Sequence, residues 1–173
     1  MKKTVTLAAL TVALAACSLA LVAEGAKAAD MSGAPGASEG SRYGKQKVVY
    51  HINYYGPKKQ VAALRNIQNH INAVGAKNID LKVVLHGDGL SLLLEPDGVE
   101  GSKMKEGNAT DEMAARIAGL KQQGVQFDVC ANTLKGRNVK VEYLYDVDKE
   151  DIVPSGVAEL ARLEGMGYSY IKP

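Results

Sequence analysis

Cys130 is the residue of this sequence whose possible chemistry is easiest to name. It lies in the stretch FDVCANTLKGRNV, residues 127–139, and is the only cysteine beyond the first seventeen residues. A thiolate attacks sulfur and carbon electrophiles, whereas a thiol stays mostly protonated at neutral pH unless something stabilises its negative charge. What the fold places around Cys130 therefore decides what the protein can do.

The residues that follow Cys130 predict a thiol with a lowered pKa. An apolar run ends at Cys130 and a short helix is predicted directly after it, so backbone N–H groups and the positive end of a helix dipole lie close to the sulfur. Asn132 and Thr133 add hydrogen-bonding groups, and Lys135 and Arg137 add positive charge. The alternative is a buried cysteine that serves only as a small apolar residue.

Of the three histidines, His86 is the one with a candidate role. It follows a predicted strand in the segment LHGDG, and an imidazole that titrates near neutral pH could orient or deprotonate the thiol. The alternative is a polar residue at a strand end. His51 is predicted to be a core or interface residue, and His70 to face solvent from a helix.

Strands and helices alternate along the predicted domain. A helix carrying Val61, Leu64 and Ile67 is predicted to end at Gly75, because its apolar residues recur every three or four positions. A second helix begins at Asn108 or Thr110, a short one follows Cys130, and a last one begins after Pro154 and Ser155. The predicted strands are 47–54, 79–86, 125–130 and 168–172, and residues 139–147 form either a further short strand or irregular structure.

This alternation predicts an α/β fold. Right-handed βαβ crossovers give a mainly parallel sheet of about five strands that is covered on both faces. Binding sites in such folds form beyond the carboxyl ends of the strands. Asn53 or Tyr54, His86 and Cys130 are all predicted to lie at that edge.

The N-terminal residues predict an exported protein. Lys2 and Lys3 precede a long apolar run, and small residues around Ala28 form a cleavage pattern, so residues 1–28 are predicted to be a cleaved signal peptide and the location to be the periplasm. An uncleaved membrane anchor is one alternative. A lipoprotein anchored through Cys17 of the segment LAAC is another. Residues 29–45, rich in Gly, Ser, Ala and Pro, are predicted to be a flexible linker, and residues 46–173 the folded domain.

Several classes of function are disfavoured. Without residues 1–28 the basic and acidic residues are equal in number, so nucleic acid is not a predicted partner. The segment GDG lacks the rest of a nucleotide-binding pattern and predicts a tight turn instead. Neither a calcium loop, a zinc-ligand spacing nor a serine-nucleophile motif is present, and no metal or cofactor is predicted.

The segment VQFDVCANTLKGRNV, the region 48–93 and the final residues DIVPSGVAELARLEGMGYSYIKP together resemble the DsrE/DsrF-like family, in particular its exported members. The resemblance covers residues 47–173. It implies a flavodoxin-like three-layer sandwich that assembles into homo-oligomers, as trimers or hexamers. It also implies that Cys130 accepts a sulfane sulfur as a persulfide and exchanges it with sulfur donor and acceptor proteins or with small sulfane-sulfur species.

Overall fold

The computed structural model describes residues Arg42–Pro173. The predicted signal peptide, Cys17 and nearly all of the predicted linker lie outside the described residues. The strands are β1 (Gln46–Ile52), β2 (Ile79–Leu85), β3 (Gln126–Cys130), β4 (Ile152–Val153) and β5 (Ser169–Ile171). The helices are α1 (Pro57–Val74), α2 (Asp111–Lys121), α3 (Ala131–Arg137) and α4 (Gly156–Gly165).

The five strands form one parallel sheet in the order β4-β3-β2-β1-β5. The predicted α/β class and parallel sheet are therefore confirmed. The carboxyl ends of β2 and β3 are neighbours, because Leu85 pairs with Val129. His86 and Cys130, which follow or end these strands, are thus brought to the same edge.

Each face of the sheet is covered by different helices. On one face, residues such as Tyr50, Val83 and Phe127 pack with the apolar sides of α1 and α2 in the larger core. On the other face, Val49 and Val84 pack against α4 in a smaller cluster. Because side chains alternate along a strand, the face under α4 also receives the residues two positions from Val49 and Val84.

The helix boundaries follow local chemistry. Pro57 lies in the first turn of α1, and Gly75 ends it with a φ of 87°, which favours glycine. The hydroxyl of Thr110, one of the two predicted caps, accepts a hydrogen bond from the Met113 N–H at the start of α2. Asn108, the other predicted cap, is instead buried and donates to the Gln60 side chain at 2.8 Å.

The turn after β2 is held tightly against β1. A Cβ atom at Gly89 would lie 1.9 Å from the carbonyl oxygen of Ile52, so only glycine fits there. Ser91, in the same turn, is fully buried and accepts a hydrogen bond from the Gln60 amide at 2.9 Å. This packing fixes the position of His86 at the start of the turn.

Some predicted features differ in the structure. The first strand ends at Ile52 rather than at residue 54. Of the two predictions for residues 139–147, irregular structure is the correct one, with a short 3-10 turn and one antiparallel bridge from Leu144 to Leu94. The fifth strand is β4, whose two residues are too few to show a pattern. His70 is half-buried rather than facing solvent, because it hydrogen bonds Tyr50 and Gln46. Within residues 42–173, no helix has the length and apolar character needed to cross a membrane.

Candidate functional site

A cavity of about 450 Å³ opens at the carboxyl ends of β2 and β3. Five residues predicted for the site from sequence line this cavity. Lys135 is exposed on α3 and does not line it, nor do Asn53 and Tyr54. The lining residues are His86, Gly87, Cys130, Asn132, Thr133, Gly136, Arg137, Ser155 and Val157.

Cys130 occupies the junction between β3 and α3. It is the last residue of the strand and the N-cap of the helix, with an extended backbone at φ −75° and ψ 113°. Its residue is only 5 % exposed, and it is the one free cysteine of the described chain. The sulfur therefore lies at the inner end of the cavity, where neighbouring groups rather than bulk water set its charge.

Hydrogen bonds lower the pKa of Cys130. Burial raises the pKa of the thiol, but this effect is outweighed by hydrogen bonds from the Thr133 hydroxyl and from the backbone N–H groups of Gly156, Thr133 and Asn132. The net pKa lies below the ordinary value of 9.0. Since the groups responsible are neutral dipoles, the predicted contribution of Lys135 and Arg137 is not what lowers it.

Thr133 is oriented to donate to the thiolate. Its hydroxyl oxygen accepts a hydrogen bond from the backbone N–H of Gly87 at 2.9 Å. A hydroxyl has one proton and two lone pairs, so this contact leaves the proton available for Cys130. Gly87, with a φ of 55°, is in the left-handed region where glycine is favoured, and that conformation directs its N–H toward Thr133.

Gly156 closes the site from the start of α4. A Cβ atom at this position would lie 3.0 Å from the Cβ of His86 and 3.2 Å from the Cβ of Cys130. The backbone of α4 therefore fits between these two residues because Gly156 has no side chain. This role of Gly156 was not predicted, since a glycine directly after Ser155 has no pattern that indicates a close approach.

His86 is a partly buried imidazole beside the thiol. Burial lowers the pKa of His86, and the nearby positive charge of Lys172 lowers it further, so both effects favour the neutral ring. Its Nδ1 atom is buried and has no hydrogen-bond partner. A neutral imidazole can accept a proton, which is the role predicted for His86 as a base.

The mouth of the cavity carries one ion pair. The Arg137 guanidinium contacts the Asp88 carboxylate at 2.5 Å, and both side chains are about one-third exposed. Asp88 thereby offsets the charge that Arg137 brings to the cavity. The lining nevertheless retains hydrogen-bond donors at Arg137 and Asn132 that can orient a polar substrate.

A second, larger cavity of about 610 Å³ lies beside the start of α2. It is lined mainly by acidic and small residues and contains neither cysteine nor histidine. Across residues 42–173, no cluster of three or more metal-ligating side chains is suitably placed for a metal ion. The cavity at Cys130 is therefore the one in which a nucleophile, a base and hydrogen-bond donors meet.

Comparison with known proteins gives a consistent result. The model of the DsrE/DsrF-like family matches residues 47–173. A structure of MTH1491 from Methanobacterium thermoautotrophicum, described as a protein of unknown function, has a TM-score of 0.60 and 25% identity, covering 75% of this chain and 100% of that one. The crystal structure of the ychN protein from E. coli shares the fold, with a TM-score of 0.50 and 20% identity. The match covers 75% of this chain and 99% of that one. A search of curated proteins found no match.

Proposed function

This chain belongs to the DsrE/DsrF-like family, and on that premise we propose that Cys130 accepts a sulfane sulfur as a persulfide and passes it to an acceptor thiol. Membership of this family suggests a function of the sulfur-relay type. The observation that carries the finer proposal is the Cys130 thiol itself. It lies at the inner end of an open cavity, with several hydrogen bonds that favour its thiolate form.

The proposed loading step is a nucleophilic substitution at sulfur. The Cys130 thiolate attacks the sulfane sulfur of a persulfide or polysulfide, the sulfur–sulfur bond of the donor breaks, and the donor leaves as a thiolate or a shortened polysulfide. The product is Cys130–S–SH. Asn132 and Arg137 line the space that the added sulfur would enter and are proposed to orient the donor.

The proposed setting is the periplasm. The N-terminal pattern supports export with cleavage after Ala28, and anchoring through a lipidated Cys17 is the alternative. The partners proposed are sulfur donor and acceptor proteins or small sulfane-sulfur species. A homo-oligomer, as a trimer or hexamer, is part of the proposal.

The low exposure of Cys130 favours one second candidate. At 5 % exposed, the cysteine could be structural, and the cavity could hold a small ligand or a partner without any covalent step. That candidate requires a thiol which alkylating reagents reach only after unfolding. A redox sensor that forms a sulfenic acid or an intermolecular disulfide would share the reactive thiol but would not carry sulfur.

The test is the intact mass of the full chain, recovered from a bacterial periplasm without reductant and again after exposure to inorganic polysulfide. We expect whole sulfur atoms to be added, to be removed by reductant, and to be absent from Cys130→Ser. Equal uptake by Cys130→Ser would overturn the proposal. An unchanged wild-type mass with an unreactive thiol would favour the binding module. The same spectrum shows whether the mature chain begins near Ala29 or at Cys17.

A further inference from the structure

Two further polar side chains, those of His51 and Tyr170, lie behind His86 on the face of the sheet that α4 covers. The Tyr170 hydroxyl and the Nδ1 atom of His51 are 2.6 Å apart, a short hydrogen bond that joins β5 to β1. His51 is 6 % exposed, whereas Tyr170 is 40 % exposed. The pair therefore runs from the protein surface into the buried region behind the cavity.

The sheet register places this pair beside His86. His51 pairs with Val84 across β1 and β2, and His86 is two residues beyond Val84, so the two histidines share a face. Their ring centroids are 4.7 Å apart with an interplanar angle of 83°, an edge-to-face contact. The His51 ring therefore limits the orientation of the His86 ring. Tyr170 in turn holds His51 in place through its hydrogen bond.

Both imidazoles have one nitrogen without a partner. The Nε2 atom of His51 and the Nδ1 atom of His86 are buried and make no hydrogen bond. Leaving buried polar atoms unpaired is costly, and such atoms in a native structure call for an explanation. The cost is smallest in the resting state, in which both rings are uncharged, because an imidazolium would leave a buried charge unpaired.

The surroundings favour the uncharged form of both rings. Burial lowers the pKa of His51 to about 4, with further contributions from His86 and Lys172. Burial and Lys172 also lower the pKa of His86. Lys172, beyond β5, acts on both rings, and Cys130 of β3 lies across Gly156 from His86. Asp128 of β3 is on the same face of the sheet, paired with Val84, and Asp88 is paired with Arg137.

We propose that His51 and Tyr170 are positioning residues that hold the His86 imidazole beside Cys130, where it takes the proton of the thiol that receives the sulfur. This inference rests on the proposed function. Hydrogen bonds from neutral groups favour the thiolate of Cys130 and oppose the effect of its burial. An incoming acceptor thiol has no such support and arrives protonated.

The step balances without an external oxidant or reductant. His86 takes the proton of the acceptor R–SH, and R–S⁻ attacks the outer sulfur of Cys130–S–SH. The bond between the two sulfurs on Cys130 breaks, and its electron pair leaves on the Cys130 thiolate. The product is R–S–SH, so the acceptor sulfur is oxidised, the Cys130 sulfur is reduced, and the proton remains on His86 until it passes to solvent.

The test replaces Tyr170 with Phe in the full chain. This change removes the hydroxyl but retains the ring. Tyr50→Phe is a matched control, because the Tyr50 hydroxyl contacts the Nδ1 atom of a different histidine, His70, at 3.1 Å on the opposite face of β1. The chain has three histidines, so their titrations can be followed separately by nitrogen-detected NMR. A second variant, His51→Phe, retains an aromatic ring against His86 but cannot bond Tyr170.

In Tyr170→Phe and in His51→Phe we expect the titration of His86 to move to higher pH, toward the ordinary histidine range, because the ring is less firmly held away from water. Transfer from polysulfide-loaded protein to 2-mercaptoethanol should slow about tenfold at pH 7, because the imidazole is no longer held in the position from which it takes the proton of the acceptor thiol. The acid limb of its pH–rate profile should shift upward with the NMR titration. Tyr50→Phe should change neither quantity.

The outcomes separate this inference from the proposed function. If the wild-type chain loads sulfur but Tyr170→Phe and His51→Phe leave both the His86 titration and the transfer profile unchanged, the inference is overturned and the proposed function stands. If the titration moves while the transfer profile does not, His86 is not the base and the inference is again overturned. A wild-type chain that takes up no sulfur overturns the proposed function and this role of His86 together.

Discussion

Thr133 and Gly87 are joined by a hydrogen bond of 2.9 Å, in which the Gly87 backbone N–H donates to the Thr133 hydroxyl. The contact links the turn after β2 to the first turn of α3, so the segments carrying His86 and Cys130 cannot move independently. It also leaves the hydroxyl proton of Thr133 free to be donated to the sulfur. One side chain thus fixes the geometry of the site and favours the charged form of its nucleophile.

Replacing Thr133 with Val should raise the pKa of Cys130, because the side-chain hydrogen bond that opposes burial is lost. A hydrogen bond to a charged group contributes about 1.5–3 kcal/mol, so alkylation by iodoacetamide at pH 7 should slow about tenfold or more. Thr133→Ser should recover most of the rate. The control is Thr110→Val, which removes the cap of α2 and should lower stability without changing thiol reactivity. Equal rates for wild type and Thr133→Val would contradict the assigned role.

Gly156→Ala tests the close approach of α4. The added Cβ would lie 3.0 Å from the Cβ of His86, so we expect the start of α4 to shift and to weaken the hydrogen bond from its N–H to the thiolate. Thiol alkylation should slow about threefold to tenfold, consistent with partial loss of one charge-assisted hydrogen bond. Gly165→Ala in the same helix is the matched control, since nothing lies within 4 Å of its Cβ. If both variants react alike, Gly156 has no special packing role.

The Arg137–Asp88 ion pair at the cavity mouth should determine how fast anionic reagents modify Cys130 relative to neutral ones. In Asp88→Asn the positive charge of Arg137 is no longer offset by a carboxylate. The rate of alkylation by anionic iodoacetate, divided by the rate with neutral iodoacetamide, should therefore rise about fivefold, which corresponds to about 1 kcal/mol. Arg137→Gln should lower the ratio, and added salt should reduce both effects. Glu142→Gln, which breaks the Lys140–Glu142 pair away from the cavity, should leave the ratio unchanged. A ratio that is insensitive to Asp88 would show that reagents do not pass Arg137.

Asp128 should make the fold less stable above about pH 6. Burial raises the pKa of Asp128 from 3.8 to about 6, with Lys82 opposing and Glu159 adding to the shift, and its Oδ2 atom is buried without a partner. The folded state therefore holds this proton more tightly than the unfolded state, and stability declines as pH rises from 3.8 to about 6.

Asp128→Asn should remove this dependence. Its free energy of unfolding should exceed that of wild type by about 2 kcal/mol at pH 7.5, and the difference should shrink toward pH 4. Urea unfolding at several pH values measures it, with the exposed Asp97→Asn as control. A difference that does not change with pH would mean that Asp128 does not titrate in this range.

The sequence was sufficient to predict the parallel sheet and the placement of His86 and Cys130 at one edge, because apolar runs mark where β2 and β3 end. The sequence was not sufficient to predict the positions of residues that depend on how distant strands pair with one another. The position of His51 beside His86 follows from the register of β1 with β2, which no local pattern specifies. Lys135, predicted to add positive charge near Cys130, does not line the cavity, because the rotation of a seven-residue helix about its axis is set by packing rather than by its own sequence.

The pairing of β5 with β1 has a consequence for synthesis. The hydrogen bond between His51 and Tyr170 joins residues 119 positions apart, and β1 lies inside the sheet with β5 at its edge. A growing chain can form β1, β2 and β3, and can place Cys130 at its strand end, well before Tyr170 has been made. During that interval His51 lacks the hydrogen bond that it later makes with the Tyr170 hydroxyl. Synthesis from the N-terminus therefore makes the strand that carries the thiol before the tyrosine that holds His51 in place.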